Sequence, residues 1–203
     1  VGMALAERLL NAEFGDDLVD HFTYVLASDG DLMEGISQEA LALAGHLKLK
    51  KLIVLFDDNG ISIDGKISLS DSTDQVARFK ASGWNAVRID GHDPVAIENA
   101  IADARKSDRP TLIACKTHIG YGAPTKVDTS GAHGSPLGEK EIEGARKNLN
   151  WSSAPFEIPA DILESWRKSG ARSAETRAAW KQRLEESSKK DEFQRRLHGK
   201  LPN

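Results

Sequence analysis

Apolar residues recur along the first half of the chain in two alternating rhythms. Short uninterrupted runs fall at 21–27 (His-Phe-Thr-Tyr-Val-Leu-Ala), 52–56, 85–89 and 111–115. They favour β-branched and aromatic residues, are bounded by turn formers, and are too short for helices, so they predict four buried strands. Between them the spacing changes to three and four. Residues 1–14 fit a helix that Gly15 ends. Ile36, Ala40, Leu43, Ala44 and Leu47 mark one face of a second helix, and 74–81 predicts a short third. The segment 94–106, with Pro94 in its first turn, turns Ile97, Ala100, Ile101 and Ala104 inward. Strands apolar throughout and alternating with helices predict an α/β fold, a mostly parallel sheet flanked by helices on both faces.

Ligands of such sheets sit at the carboxyl ends of the strands. That rule points to the loops 28–35, 57–65 and 117–138, the last long and rich in glycine and proline. From about Trp151 the pattern changes. Pro155 and Pro159 mark a linker-like stretch, and 161–168 predicts a helix. The segment 174–197 reads as one long helix with Trp180, Leu184, Phe193 and Leu197 on its apolar side. Its charges alternate in sign, which favours a solvated helix. The expected organisation is an α/β domain over 1–150 and a helical extension over 151–203. Because the first residues read as the middle of a helix with no N-cap, the chain is expected to be a piece of something longer.

Composition narrows the function classes. Lys and Arg number 27 against 31 Asp and Glu, a formal charge of −4, which offers no electrostatic footprint for nucleic acid or an anionic membrane. The longest apolar run, 51–56, is far short of a membrane span, and Glu7 and Arg8 interrupt any signal-like stretch. One cysteine, Cys115, excludes an internal disulfide, and the cytoplasm is the default compartment.

Two oxygen-bearing residues stand where chemistry is expected. Asp29 follows the first strand and precedes Gly30; Asn59 follows the second and precedes Gly60. The intervening residues hold one helix and one strand, so both side chains come from neighbouring strand ends and can converge on one cation. A carboxylate, an amide oxygen and a backbone carbonyl are hard donors suited to Mg²⁺ or Ca²⁺, leaving positions for phosphate oxygens. Gly30 would let a phosphate approach the backbone. Asp and Asn are also common turn residues, and spacing alone does not separate the two readings.

Other site classes fit poorly. In Asp29-Gly-Asp31-Leu-Met33-Glu34 an EF-hand would need oxygen at Met33 and glycine at Glu34. Gly120-Tyr121-Gly122 opens no helix, and no Walker A segment is present. Histidines at 21, 46, 92, 118, 133 and 198 show no metal-ligand spacing. A receiver-type phosphoacceptor domain would use Asp29, Asp57, Asp58 and Lys116, but its acidic pair belongs on the first strand, and here the pair comes second.

Several motifs in order resemble the transketolase family. Ser28-Asp29-Gly30-Asp-Leu-Met-Glu34-Gly35 running on to Asp57-Asp58-Asn59-Gly60-Ile61-Ser62-Ile63-Asp64-Gly65 is similar to its thiamine-diphosphate motif. Asp90-Gly91-His92-Asp93, Cys115-Lys116-Thr117, Ile119-Gly-Tyr-Gly122, His133-Gly134-Ser-Pro136-Leu137-Gly138 and Ala154-Pro155-Phe156-Glu-Ile-Pro159 follow in the family's order and spacing. The likeness runs from residue 1 to roughly 165 and is weaker beyond. Ser28 replaces the motif's first glycine, which a small side chain tolerates unless the backbone there needs positive φ.

The resemblance implies a role for each matching position. Asp29, the Asn59 side-chain oxygen and the Ile61 carbonyl would ligate Mg²⁺ or Ca²⁺. Gly30 and Asn59 would contact the diphosphate of thiamine diphosphate, and Glu34 would lie at a dimer interface. His133 would reach the cofactor and the sugar's reacting end, while His92 and His118 are read as structural. The implied reaction transfers a two-carbon ketol unit from a ketose phosphate to an aldose phosphate, in the pentose phosphate pathway. It further implies a cytoplasmic homodimer, with a pyrimidine-binding domain completing each site. The isolated chain is then expected to be inactive. Dihydroxyacetone synthase and deoxyxylulose phosphate synthase are related alternatives, as is a non-catalytic subunit or remnant that only dimerises or binds nucleotide.

Overall fold

The computed structural model describes residues 1–201, so the last two residues of the expected 151–203 extension lie outside the described part. The chain forms two compact units. One comprises Val1–Leu5 and Phe22–Ser152; the other comprises Ala6–His21 and the residues from Ser153 onward.

The first unit is built on four strands, β1 (Thr23–Ser28), β2 (Leu52–Asp58), β3 (Asn85–Asp90) and β4 (Thr111–Lys116). They form one parallel sheet in the order β1-β2-β4-β3. The helices of this unit are α2 (Asp29–Met33), α3 (Gly35–His46), α4 (Gln75–Ala81), α5 (Pro94–Ala104) and α6 (Glu139–Asn148). Each predicted strand is present, within one or two residues of its expected ends. The central strands bury both faces, as their continuous apolar runs require. Leu52, Val54, Phe56, Leu112 and Ala114 pack with Leu32, Leu41, Ala44, Phe79 and Trp84; Ile53, Ile113 and Cys115 pack with Ala100, Ile101 and Ala104 of α5. Cover on the second face stops short of β1, where Leu26 is 84% exposed and Tyr24 48%.

Helix starts follow local chemistry. The Asp74 carboxylate accepts from the Ala77 N–H at 3.1 Å, and that of Asp93 from the Val95 and Ala96 N–H groups, ahead of the proline that opens α5. Helix α6 is not signalled by apolar spacing, since its ten residues carry few apolar positions. Glu141 on it ties down the long loop instead, accepting from the Thr125 hydroxyl at 2.5 Å and the Thr125 and Lys126 N–H groups.

Two expectations need correction. On α3 the buried residues are Leu41, Ala44 and Gly45, while Ile36 is 69% and Leu43 47% exposed. Apolar residues point in several directions from this helix, between Ser37, Gln38, Glu39 and His46, so periodicity alone does not single out its inward face. Tertiary contacts choose it: Trp84 Nε1 donates to the Leu41 carbonyl at 2.8 Å, and the backbone of Ser82 presses against Gly45.

The second correction concerns 174–197. The second unit contains α1 (Gly2–Phe14) from Ala6 on, α7 (Ala160–Ala171), α8 (Ala174–Glu186) and α9 (Lys190–Leu197). The expected single helix is therefore two. Ser187 takes an extended backbone, its hydroxyl accepts from the Lys189 N–H at 3.1 Å, and α8 stops there. Nor are these helices merely solvated. Leu184 is buried with Phe14, Leu18 and Val19, Trp180 and Phe193 pack on that cluster, and Trp180 Nε1 donates to the Leu18 carbonyl at 2.9 Å. Leu197, expected on the apolar side, is 72% exposed.

Gly45→Ala gives a sharp test of the α3 packing. Helix propensity alone favours alanine by about 1 kcal/mol. A Cβ at this position would lie 1.8 Å from the Ser82 carbonyl oxygen, a backbone atom with little room to yield. Overpacking of this kind costs about 1–3 kcal/mol or more, so the variant should be less stable than the parent in urea unfolding. Equal or greater stability would mean that α3 does not pack this way.

Candidate functional site

Parallel pairing sets β1, β2 and β4 flush at their carboxyl ends. Ser28 pairs with Asp57 and Asp57 with Cys115; one residue further, Asp58 pairs with Lys116. The segments that leave these ends build a cleft of ≈ 340 Å³, within the range of ligand clefts. Its lining includes Asp29, Gly30, Asn59, Ile61 and His133, joined by Ser28 and by Ser62, Ile63 and Asp64. Each residue singled out from the sequence for cofactor or metal therefore borders the same space.

The segment after β1 is more ordered than the expected loop. Helix α2 starts at Asp29, and the Asp31 carboxylate accepts from the Ser28 N–H at 2.8 Å and the Ser28 hydroxyl at 2.9 Å. Ser28 has φ −112°, ordinary extended backbone, so serine is unstrained where the motif has glycine. A Cβ on Gly30 would meet open space, so its absence leaves the cleft side of α2 clear. Asp29 itself is half-buried.

The turn after β2 supplies the rest. Gly60 has φ 72°, a conformation that suits glycine, and its N–H donates to Asp29 Oδ2 at 3.1 Å. The Ile61 N–H donates to Asn59 Oδ1 at 2.9 Å, closing a local turn, and Ile61 is buried. A bridge from Ile61 to Lys66 and a bond from the Ile67 N–H to the Gly60 carbonyl (2.9 Å) brace the turn.

Burial pushes the Asp29 carboxyl above its usual range. The Gly60 N–H and Lys116 pull it down, while the charges of Asp58 and Asp57 push it further up. A place that resists a bare negative charge is one where a cation is welcome. Among the described residues no three His, Cys, Asp or Glu side chains gather to hold a metal. The donors present are instead one carboxylate, one amide oxygen and one backbone carbonyl. That hard-oxygen set fits a Mg²⁺ or Ca²⁺ whose other positions go to phosphate and water, and the clear space beside Gly30 fits a diphosphate.

His133 ends a short 3₁₀ turn at Ser130–Ala132 in the long loop; its N–H donates to the Ser130 carbonyl at 3.0 Å. The start of that loop is held elsewhere. The His118 N–H donates to His92 Nε2 at 3.1 Å, His118 Nδ1 meets the Asp128 carboxylate at 2.9 Å, and Tyr121 stacks on His92 at 4.2 Å. Glu34 is exposed between α2 and α3 and caps α3, its carbonyl accepting from the Ser37 N–H at 3.1 Å. The Gly60 N–H as a partner of Asp29 was not singled out in the sequence, where Asn-Gly signals a turn and nothing more. Thr117 carries no signal in the sequence as a site residue, and Asp57 enters there only through the rejected phosphoacceptor reading. The Thr117 hydroxyl donates to the Asp57 carboxylate across strand ends, and no local pattern marks that contact.

Comparison with known proteins gives the family and the fold. The sequence matches the family described as "Transketolase, thiamine diphosphate binding domain" over residues 1–202. A transketolase of Cereibacter sphaeroides is 57% identical over 194 residues, covering 96% of this chain and 30% of the relative. Transketolase 1 of Escherichia coli (strain K12) is 46% identical over 213 residues, covering 100% of this chain and 32% of the relative. Among solved structures, transketolase from Leishmania mexicana superposes with a TM-score of 0.94 at 34% identity, over 100% of this chain and 32% of that one. Transketolase from Campylobacter jejuni gives 0.91 at 38% identity, over 96% and 31%. The chain thus spans 30–32% of the length of these curated relatives. With sequence and fold matched along nearly its whole length, the chain belongs to the transketolase thiamine diphosphate binding domain family.

Proposed function

We propose that this chain supplies the metal and diphosphate anchor of a cytoplasmic transketolase, which transfers a two-carbon ketol unit from a ketose phosphate to an aldose phosphate in the pentose phosphate pathway. The observation that carries the proposal is the meeting of Asp29, Gly30, Asn59, Ile61 and His133 at one cleft. The first unit acts as the binding domain, and the chain beyond it extends towards a pyrimidine-binding domain.

In this reading Asp29, Asn59 Oδ1 and the Ile61 carbonyl hold Mg²⁺ or Ca²⁺. Asp29 is the one anion of the three; its single negative charge offsets half of the cation's, and the diphosphate answers the rest. Gly30 and Asn59 admit and orient the diphosphate. When bound, thiamine diphosphate supplies stabilisation of carbanion character at the reacting carbon. His133 donates a hydrogen bond or carries a proton at the sugar's reacting end, a task suited to imidazole. The working form is a homodimer with Glu34 at its interface.

Asp29→Asn separates the binding role from the stability role. In the complete enzyme it should abolish Mg²⁺-dependent thiamine diphosphate binding in calorimetry; unchanged affinity would remove Asp29 from the site. In the metal-free protein the effect has the opposite sign. The raised pKa means that the native state keeps its proton to higher pH than the unfolded chain, so native stability falls as pH rises through that interval. The asparagine variant lacks this loss. Its stability relative to the parent should therefore grow as pH rises through the carboxylate range, read as a widening difference in urea midpoint.

His133→Ala should lower kcat/KM for the sugar phosphate by about 10²–10⁴-fold with saturating cofactor, the usual contribution of such a group. A loss smaller than about threefold would return His133 to an ordinary loop residue, being far below that range.

Residues 1–203 by themselves should show no detectable ketol transfer with Mg²⁺ and thiamine diphosphate. The aminopyrimidine half of the cofactor lacks its protein partner, and a diphosphate site open to water holds its charges weakly. Robust turnover by the purified chain in a coupled ketose-phosphate assay would show that the active site is built differently.

A further inference from the structure

We infer that Asp57, held by Thr117, is a positioning residue that fixes which end of the Asn59 amide faces the cation. The inference rests on the proposed metal site and deepens it. An asparagine amide presents an oxygen and an NH₂ of nearly equal size, and sterics scarcely distinguish the two orientations. A cation accepts the oxygen and is repelled by the NH₂, so an amide already turned oxygen-inward before the metal arrives binds it more tightly.

Two contacts decide it. Asn59 Nδ2 donates to Asp57 Oδ2 at 3.2 Å, and Asn59 Oδ1 accepts from the Ile61 N–H at 2.9 Å. A carboxylate has only acceptors to offer and a backbone N–H only a donor, so both contacts demand the same orientation. The local Ile61 bond is available wherever this turn forms. Asp57 adds a partner that a flipped amide would confront with its own oxygen. That would set two acceptors face to face.

The carboxylate is itself oriented. Its other oxygen, Oδ1, accepts from the hydroxyl of Thr117, the first residue beyond β4. Because Asp57 pairs with Cys115 in the sheet, Thr117 stands on the neighbouring strand end within reach. The adjacent acid is engaged elsewhere: Asp58 Oδ2 takes Arg88 at 2.6 Å, and its backbone carbonyl takes Lys116 Nζ at 3.0 Å. The relay therefore runs from Thr117 through Asp57 to Asn59. It ties the turn that supplies two proposed metal ligands to the loop that carries His133.

The test measures the Mg²⁺ concentration that half-saturates thiamine diphosphate binding in the complete enzyme, together with the unfolding temperature of the unloaded protein. Partners that orient a metal ligand typically change metal affinity 10–100-fold. Asp57→Asn should raise the Mg²⁺ requirement about 10–100-fold, because an amide at 57 accepts either orientation of Asn59. Thr117→Val should raise it in the same direction, and Thr117→Ser, which keeps the hydroxyl, should stay near the parent. Should Asp57→Asn not fold, the valine and serine variants at 117 carry the test, and equal requirements in the two would overturn the inference. An unchanged requirement in Asp57→Asn, with or without a lower unfolding temperature, would also overturn it while Asp29→Asn loses metal-dependent binding. If Asp29→Asn instead keeps the parent's Mg²⁺ requirement, the metal site itself is wrong and the positioning role falls with it.

Discussion

Parallel pairing that leaves β1, β2 and β4 level at their carboxyl ends is the constraint on which the first unit's candidate site depends. Parallel neighbours cannot be joined by tight turns, so each connection must cross back over a face of the sheet. Amino ends are thereby used for entry and carboxyl ends for exit. With Ser28, Asp57 and Cys115 in one row, the next residues of each strand, Asp29, Asp58 with Asn59, and Lys116 with Thr117, emerge side by side. A one-residue slip of β2 would turn the wrong side chains upward and separate Asp29 from the Gly60 N–H.

That convergence concentrates negative charge. Asp29, Asp57 and Asp58 rise at adjacent strand ends, and the Asp29 carboxyl, raised above all by burial, is raised further by the charges of the other two. The fold answers with specific partners: Arg88 takes Asp58, Thr117 and the Asn59 amide take Asp57, and the Gly60 N–H takes one oxygen of Asp29. Asp29 remains the acid with least compensation. A residue that is uncomfortable in the metal-free protein and suited to a cation is the expected signature of a binding site.

The second unit is held differently. Its packing rests on a few large side chains, Phe14, Leu18, Leu184, Trp180 and Phe193, with Phe14 and Phe193 meeting edge to face at 5.2 Å. Its remaining surface mixes charged residues with exposed apolar ones such as Phe156, Trp166 and Leu197. Surface pairs such as Glu192 with Arg195 and Arg196 lie along α9 and contribute little by themselves.

Four strands, their parallel class and their carboxyl-end loops were legible in the sequence, because a strand buried on both faces must be apolar without interruption. The cleft residues were legible as well, since Asp-Gly and Asn-Gly at successive strand ends are local signals. Ordered motifs further along carried His133. What the sequence left open was set by contacts between distant residues. The inward face of α3 depended on Trp84 and Ser82 reaching a helix whose apolar residues point in several directions. The break at Ser187 depended on a side chain competing for the backbone where charge spacing alone suggested a continuous helix. The orientation of the Asn59 amide depended on Asp57 and on a threonine sixty residues away from it. Periodicity reports what a segment must bury. Which neighbour it meets, and which atom it turns towards that neighbour, is decided only when the strands align.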